Sequence, residues 1–234
     1  LTFSTTTVNN QMRIAITGST SVGKSTLIKQ FLQEWPMYKQ PAKTYRDIIK
    51  DQNIQLSKQG NKESQRAILN ALVDEVQLAS VSDDRHIIFD RCTVDNIAYS
   101  LWHYAKETPG FTNEYIIDSK AIAALALKHV DVIFYLPIRQ EIPITPRDGR
   151  ETDPVFREEI DNILDALVDS YEKNTGAFFP TEDCPAVIRL EGPPDMRIPQ
   201  MKLYIKENGN GYGEEDGSLI DASKVVLDGE QAPF

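Results

Sequence analysis

The apolar positions of this chain fall into two alternating rhythms. Short runs rich in Ile, Val and Phe lie at residues 12–17, 86–90, 131–136 and 186–190, and longer stretches with apolar residues three and four apart lie at 24–34, 62–80, 93–106, 114–129 and 154–174. The first rhythm predicts buried strands and the second amphipathic helices. A further short strand is predicted near residues 41–45. Such alternation is the pattern of βα units around a parallel sheet, here of about five strands. Leu69, Leu72, Val73 and Val76 mark the buried stripe of one helix, and Phe156, Ile160, Ile163, Leu164, Leu167, Val168 and Tyr171 that of another. These stripes are core and carry no chemistry.

From Glu207 the composition turns to Gly, Asn, Asp and Glu, with Asn208, Gly209, Asn210 and Gly211 as a turn signal. The expected organisation is an extension over residues 1–11, one domain over 12–206, and an acidic Gly-rich tail over 207–234, loosely attached or forming a small hairpin. Glu214, Glu215 and Asp216 read as solvated surface. A length of 234 residues suits one α/β domain. The longest tight apolar run, residues 121–127, is far too short to span a bilayer. The first residues lack the basic start and apolar stretch of a secretory signal, so a cytoplasmic protein is expected. Cys92 and Cys184 have no Cys or His nearby, which suggests reduced thiols rather than a zinc site or a disulfide. A formal charge of −10 argues against a protein that holds long nucleic acid through its phosphates.

Candidate chemistry begins at Gly18, Ser19, Thr20, Ser21, Val22, Gly23, Lys24, Ser25 and Thr26. The run fits G-x-x-x-x-G-K-[ST] and lies between a predicted strand and a predicted helix, the context of a P-loop. Glycines there let backbone N–H groups wrap a β-phosphate, and the helix N-terminus adds partial positive charge. Lys24 would bridge β- and γ-phosphate oxygens of ATP from an exposed face, contributing little to the core, and Ser25 would ligate magnesium. The plain alternative is a Gly-rich turn, which the strand and helix on either side disfavour.

Such a cradle needs an acid at the end of a neighbouring strand. Asp90 ends the run His86, Ile87, Ile88, Phe89 and is the candidate magnesium organiser or general base. Its bland alternative is an N-cap for the helix beginning near Thr93. Arg91 is a candidate partner for substrate phosphate or hydroxyl, against a structural ion pair. Asp131 begins its strand and belongs at the wrong edge of the sheet.

Between the predicted strand ending at Leu136 and the helix near Pro154 runs a long loop with Pro143, Pro146 and Gly149. Loops of that length are uncommon in compact domains and are usually lids or disordered segments. Arg147 and Arg150 would reach the transferring phosphoryl group, with Arg157 assisting from the next helix; an exposed basic loop without chemistry is the alternative.

With these elements placed, residues 12–206 resemble the P-loop kinases of the thymidylate-kinase-like group, and above all the ATP-binding AAA-type domain of NadR-like ribosylnicotinamide kinases, which also occurs in stand-alone phage proteins. The resemblance rests on residues 18–26, on Asp90 and Arg91, and on Ile142, Pro143, Asp148, Gly149 and Arg150 followed by Phe156 and Arg157. It implies a P-loop three-layer fold, ATP with magnesium, and transfer to a nucleoside, a nucleoside monophosphate or nicotinamide riboside. No nucleotidyltransferase domain like the one that precedes the NadR kinase is expected before this one, and the segment after Arg91 departs from the pattern. By the same resemblance Tyr45, Arg46, Gln65 and Arg91 occupy acceptor-contact positions, and the end of the last strand, near Gly192, flanks adenine. Tyr45 or Trp102 is a candidate for stacking on a base, although buried aromatics are usually core. A homodimer is left open.

Rival classes differ in the motifs they carry beyond the P-loop. A GTPase is disfavoured, since Asn61, Lys62, Glu63, Ser64 fails the Asn-Lys-x-Asp base reader at its last position. An ATPase or nucleotide sensor without an acceptor, and a polynucleotide 5′-hydroxyl kinase, remain as alternatives.

Overall fold

The computed structural model describes residues 12–51, 54, 57–82, 86–138, 153–175, 178–180 and 182–211. Four parallel strands, β1 (Met12–Thr17), β2 (His86–Asp90), β3 (Val132–Tyr135) and β4 (Ala186–Arg189), form a sheet in the order β2-β1-β3-β4. Period-two alternation divides their side chains between two faces. Met12, Ile14, Ile16, Ile88, Val132 and Phe134 point to one core; Ala15, Ile87, Phe89, Ile133 and Tyr135 point to the other. Burial on both faces explains why each strand reads as a continuous apolar run.

On the first face, α1 (Lys24–Glu34) packs Leu27, Ile28 and Phe31 against β1, joined by the short α7 (Arg197–Met201). On the second lie α3 (Lys62–Val81), α4 (Thr93–Ala105), α5 (Asn113–Leu127) and α6 (Pro154–Glu172). The result is a three-layer sandwich. Asn61, Lys62, Glu63 and Ser64, compared above with a base reader, are a helix start: Asn61 Oδ1 accepts from the Ser64 N–H and Ser64 Oγ accepts from the Asn61 N–H, both at 2.8 Å.

The fifth strand expected at residues 41–45 does not form. Tyr45 opens a helix instead, α2 (Tyr45–Asp51), with Thr44 held at its start by Asp47. Parallel pairing beyond β2 shrinks to one bridge between Lys39 and Ile87. Pro41, two residues on, has no N–H to continue the ladder. Nearer the C-terminus the turn signalled at residues 208–211 is closed by one antiparallel bridge between Ile205 and Gly211 and is docked: the Trp35 indole donates to Lys206 O at 2.9 Å, and the Tyr38 hydroxyl donates to Gly209 O at 2.7 Å. Residues 1–11 and 212–234 of the expected outer segments lie outside the described residues. Both cysteines are free thiols, and no helix among the described residues is long and apolar enough to cross a membrane.

Candidate functional site

Asp131 lies at the N-terminal edge of the sheet, its carboxylate accepting from the Arg13 N–H at 2.6 Å. The P-loop and Asp90 sit at the opposite, C-terminal edge, where parallel sheets place their ligands. Gly18 follows β1 with φ +146°, and a Cβ there would stand 2.5 Å from Leu136 O. Gly23 caps α1 with φ +93°. Ser21 also adopts a positive φ, +61°, an uncommon conformation for a residue with a side chain and one that recurs at ligand clamps.

Lys24 departs from expectation. Its ammonium is buried and folds back onto its own loop, donating to Gly18 O at 2.7 Å and Ser19 O at 2.5 Å. Burial, followed by the Arg91 charge, holds it well below the usual lysine range. The exposed phosphate face expected for Lys24 is therefore a covered one.

Arginines from distant elements brace the same loop. Arg157 Nε donates to Thr20 O at 2.9 Å, while its carbonyl accepts from Ser19 Oγ at 2.9 Å. Arg197 Nη1 donates to Val22 O at 3.0 Å and lies 2.9 Å from where a Cβ on Gly23 would stand. With Lys24 they occupy the carbonyls of residues 18, 19, 20 and 22. The sequence suggests Arg157 for the phosphoryl group; its place is under the loop. Arg197, beyond the last strand, carries no sequence signal.

Asp95 organises the rest. It is 1% exposed, and its carboxylate accepts from Thr17 Oγ1 at 2.7 Å, Arg91 Nη1 at 2.6 Å, the Cys92 N–H at 3.1 Å and the Gly18 N–H at 3.4 Å. Cys92 is the N-cap of α4 and Asp95 the third helical residue, so the acid of a capping box also ties the P-loop to α4. With Cys in place of Ser or Thr at the cap, the sequence pattern is disguised. Arg91, at φ +89° and with its N–H on Ile16 O, is held in that structural ion pair.

Asp90 is thereby relieved of capping. It pairs in register with Ile16 on β1, two residues before Gly18, and its Oδ2 accepts from Arg46 Nη2 at 2.9 Å. Its Oδ1 is buried with no hydrogen-bond partner among the described residues. An orphaned carboxylate oxygen, together with the half-buried Ser25 in the first turn of α1, is a donor set that suits a hard cation such as magnesium.

On the acceptor side, Arg46 is half-exposed against Asp90, its guanidinium 5.4 Å from the Tyr45 ring. Tyr45 itself is 7% exposed among Ile68, Ala71 and Leu72, which pushes its hydroxyl up to about 12. Its N–H donates to Glu75 Oε2 at 3.2 Å. Glu75 is no candidate on motif grounds, although a lone acid on a buried stripe is a signal. Gln65 is buried, with its Oε1 and its carbonyl accepting from Asn96 Nδ2, each at 2.9 Å. Trp102 is core: it packs edge-on against Phe156 and donates to Glu159 at 2.7 Å. The position near Gly192 opens the turn into α7, where Gln200 accepts from the Glu191 N–H. Arg147 and Arg150 lie outside the described residues, as does most of the predicted lid.

Residues 13–175 match the family model of an AAA domain. The chain belongs to this AAA-domain family. No curated protein matches it. Solved P-loop kinases share the fold of this AAA domain. A deoxyadenosine kinase from M. mycoides, with the products dCMP and dCDP bound, superposes with a TM-score of 0.57 at 17% identity over 81% of this chain and 96% of its own. A thymidylate kinase from Candida albicans gives 0.51 at 16% identity over 82% and 89%. The NadR protein in complex with NR gives 0.52 at 15% identity over 80% of this chain and 46% of its own, so the present chain spans about half of NadR. At such identities the likeness is one of fold.

Proposed function

We propose that this AAA-domain protein is an ATP-dependent phosphotransferase acting on a small nucleoside-like or nucleotide-like acceptor. One observation carries the reading: Asp90, with a free buried oxygen, stands one strand from the P-loop and two residues out of step with Gly18. Phosphoryl transfer demands a phosphate cradle, an acid within reach of the attacking oxygen and cations around the γ-phosphate, with little covalent chemistry for the protein. The loop of residues 18–26 supplies the cradle. Asp90 acts as magnesium organiser or as general base for an acceptor hydroxyl. Magnesium, held through the Ser25 hydroxyl and Asp90, supplies neutralisation of phosphate charge when bound. Lys24 leaves the Gly18 and Ser19 carbonyls to meet the β- and γ-phosphates. Arg46, half-exposed beside Asp90, is placed to meet an anionic or hydroxyl group of the acceptor, and Arg147 and Arg150 meet the transferring phosphoryl. The deoxyadenosine kinase, thymidylate kinase and NadR structures support a nucleoside, nucleoside monophosphate or nicotinamide riboside as acceptor.

The test is ADP release from ATP with each of these acceptors, with a 5′-hydroxyl oligonucleotide, and with none. Release that depends on a small acceptor is expected. Equal release without any acceptor makes the protein an ATPase, release with the oligonucleotide alone makes it a polynucleotide kinase, and binding of ATP without release under any condition makes it a sensor.

A further inference from the structure

Arg197 opens α7, 4% exposed and outside the residues 13–175 that match the family model. Met201 anchors α7 in the same core as Val22 of the loop and Leu27 of α1. From that base the guanidinium donates to Val22 O at 3.0 Å and packs against Gly23. The contact decides the direction of a peptide unit. In a planar trans peptide the carbonyl and the following N–H point opposite ways, so the Val22 carbonyl held by Arg197 turns the Gly23 N–H away from α7. Glycine tolerates either sign of φ, and its own backbone would let this peptide flip at little cost. A bond from outside fixes it, with Gly23 at φ +93°. The same pattern runs along the loop. The carbonyls of residues 18, 19, 20 and 22 are all occupied, and the N–H groups of Ser19, Thr20, Ser21 and Gly23 find no acceptor among the described residues. Loops whose successive N–H groups are left free in this way are anion-binding nests.

We propose that Arg197 is a positioning residue for phosphate binding: by holding the Val22 carbonyl it aims the Gly23 N–H at the β-phosphate of the nucleotide. This role rests on the loop of residues 18–26 being a phosphate cradle, and it holds whatever the acceptor. Lys24 cannot take its place. To meet the phosphates its ammonium has to leave the Gly18 and Ser19 carbonyls, which frees those peptides at the moment the ligand arrives. Arg197 stays, because it comes from a separate buried element. Arg157 holds the Thr20 carbonyl in the same manner from α6, so the peptides that carry the Ser21 and Gly23 N–H groups remain fixed when nucleotide enters.

The peptide can be read directly. Val22 and Gly23 form the one Val-Gly pair in the chain, so the full chain carrying carbonyl-labelled valine and amide-labelled glycine gives a single NMR resonance for it. ADP with magnesium is expected to move the Gly23 amide proton of the wild-type chain downfield, as its hydrogen bond to phosphate forms. In Arg197→Met, which keeps the length and removes every donor, that displacement should shrink. The Kd for ADP by titration calorimetry should rise on the order of tenfold or more, the scale of a hydrogen bond to a charged group. Arg197→Lys restores one cationic donor and should recover part of both. A variant that lowers Tm yet leaves the ADP-bound Gly23 resonance at its wild-type position makes Arg197 a structural residue only, and overturns the proposal, as does an unchanged Kd. If Arg197→Met fails to fold, the wild-type spectrum and Arg197→Lys still decide: a Gly23 amide that bound ADP leaves in place, or an Arg197→Lys protein identical to wild type in both spectrum and Kd, overturns it. A wild-type chain that binds no ADP removes the cradle and this role together, whereas binding by wild type that is insensitive to residue 197 removes this role alone.

Discussion

Thr17 and Asp95, 78 residues apart, are joined by a 2.7 Å hydrogen bond from the Thr17 hydroxyl to the carboxylate that also holds Arg91. The last residue of β1 is thus fastened to the first turn of α4 beneath the P-loop. Asp95→Ala removes one member of a buried ion pair and leaves Arg91 uncompensated, so a loss of about 3–5 kcal/mol is expected, the range for breaking such a pair. Urea unfolding of the variant measures it, and a change within error would show that Asp95 is not the fastening.

Lys24→Ala should lower turnover by on the order of a thousandfold, the scale of a lost transition-state donor. Its effect on stability has two opposing parts. The variant leaves the Gly18 and Ser19 carbonyls without their donor, but it also relieves a buried ammonium whose proton affinity is depressed. A small net shift in Tm is expected beside the large loss of activity, and calorimetric titration with an ATP analogue should show weakened binding. Full activity would remove the P-loop reading.

For Asp90→Asn, size is kept and charge removed. Turnover per folded molecule should fall by at least about a hundredfold, as for a lost general base, with near-normal thermal stability because capping of α4 rests on Cys92 and Asp95. Unchanged turnover would make the Arg46 contact its main role.

Burial raises the Glu75 carboxyl from 4.5 to about 7, with the Tyr45 N–H pulling downward and Asp90 and Asp47 pushing further up. The folded protein therefore binds this proton more tightly than the unfolded chain. Glu75 contributes its full stability below pH 4.5 and loses it as the pH rises through about 7. The total is about 3 kcal/mol at 1.36 kcal/mol per unit. Glu75→Gln, which still accepts from Tyr45, should remove that portion of the slope; unfolding midpoints compared between the two proteins across this pH window would expose an identical slope if Glu75 is not its source.

Arg147→Ala and Arg150→Ala should lower turnover far more than ATP affinity. At least one should cost on the order of 3 kcal/mol or more, the low end of an arginine-finger effect. Steady-state kinetics beside equilibrium binding separates the two, and unaffected turnover in both variants would leave this segment an ordinary basic loop.

Local periodicity determined much of this protein. The four strands, the five long helices and the P-loop between β1 and α1 stand within a residue or two of where their sequence rhythm sets them, because periods of two and 3.6 are written in neighbouring positions. Asp90 was legible for the same reason: a polar residue ending an apolar run marks the end of a buried strand. Features that arise from contact across the chain were not legible. Tyr45 lies in a stretch that reads as strand, yet burial against Ile68 and Leu72 and the carboxylate of Glu75 hold it at the start of a helix. The arginines under the P-loop come from 137 and 175 residues away in sequence, and spacing holds no record of which carbonyl a distant guanidinium will find. Lys24 shows the limit most plainly. Its motif assigns it to phosphate, but only the packed loop decides that its ammonium is buried against its own backbone carbonyls, where desolvation works against its charge.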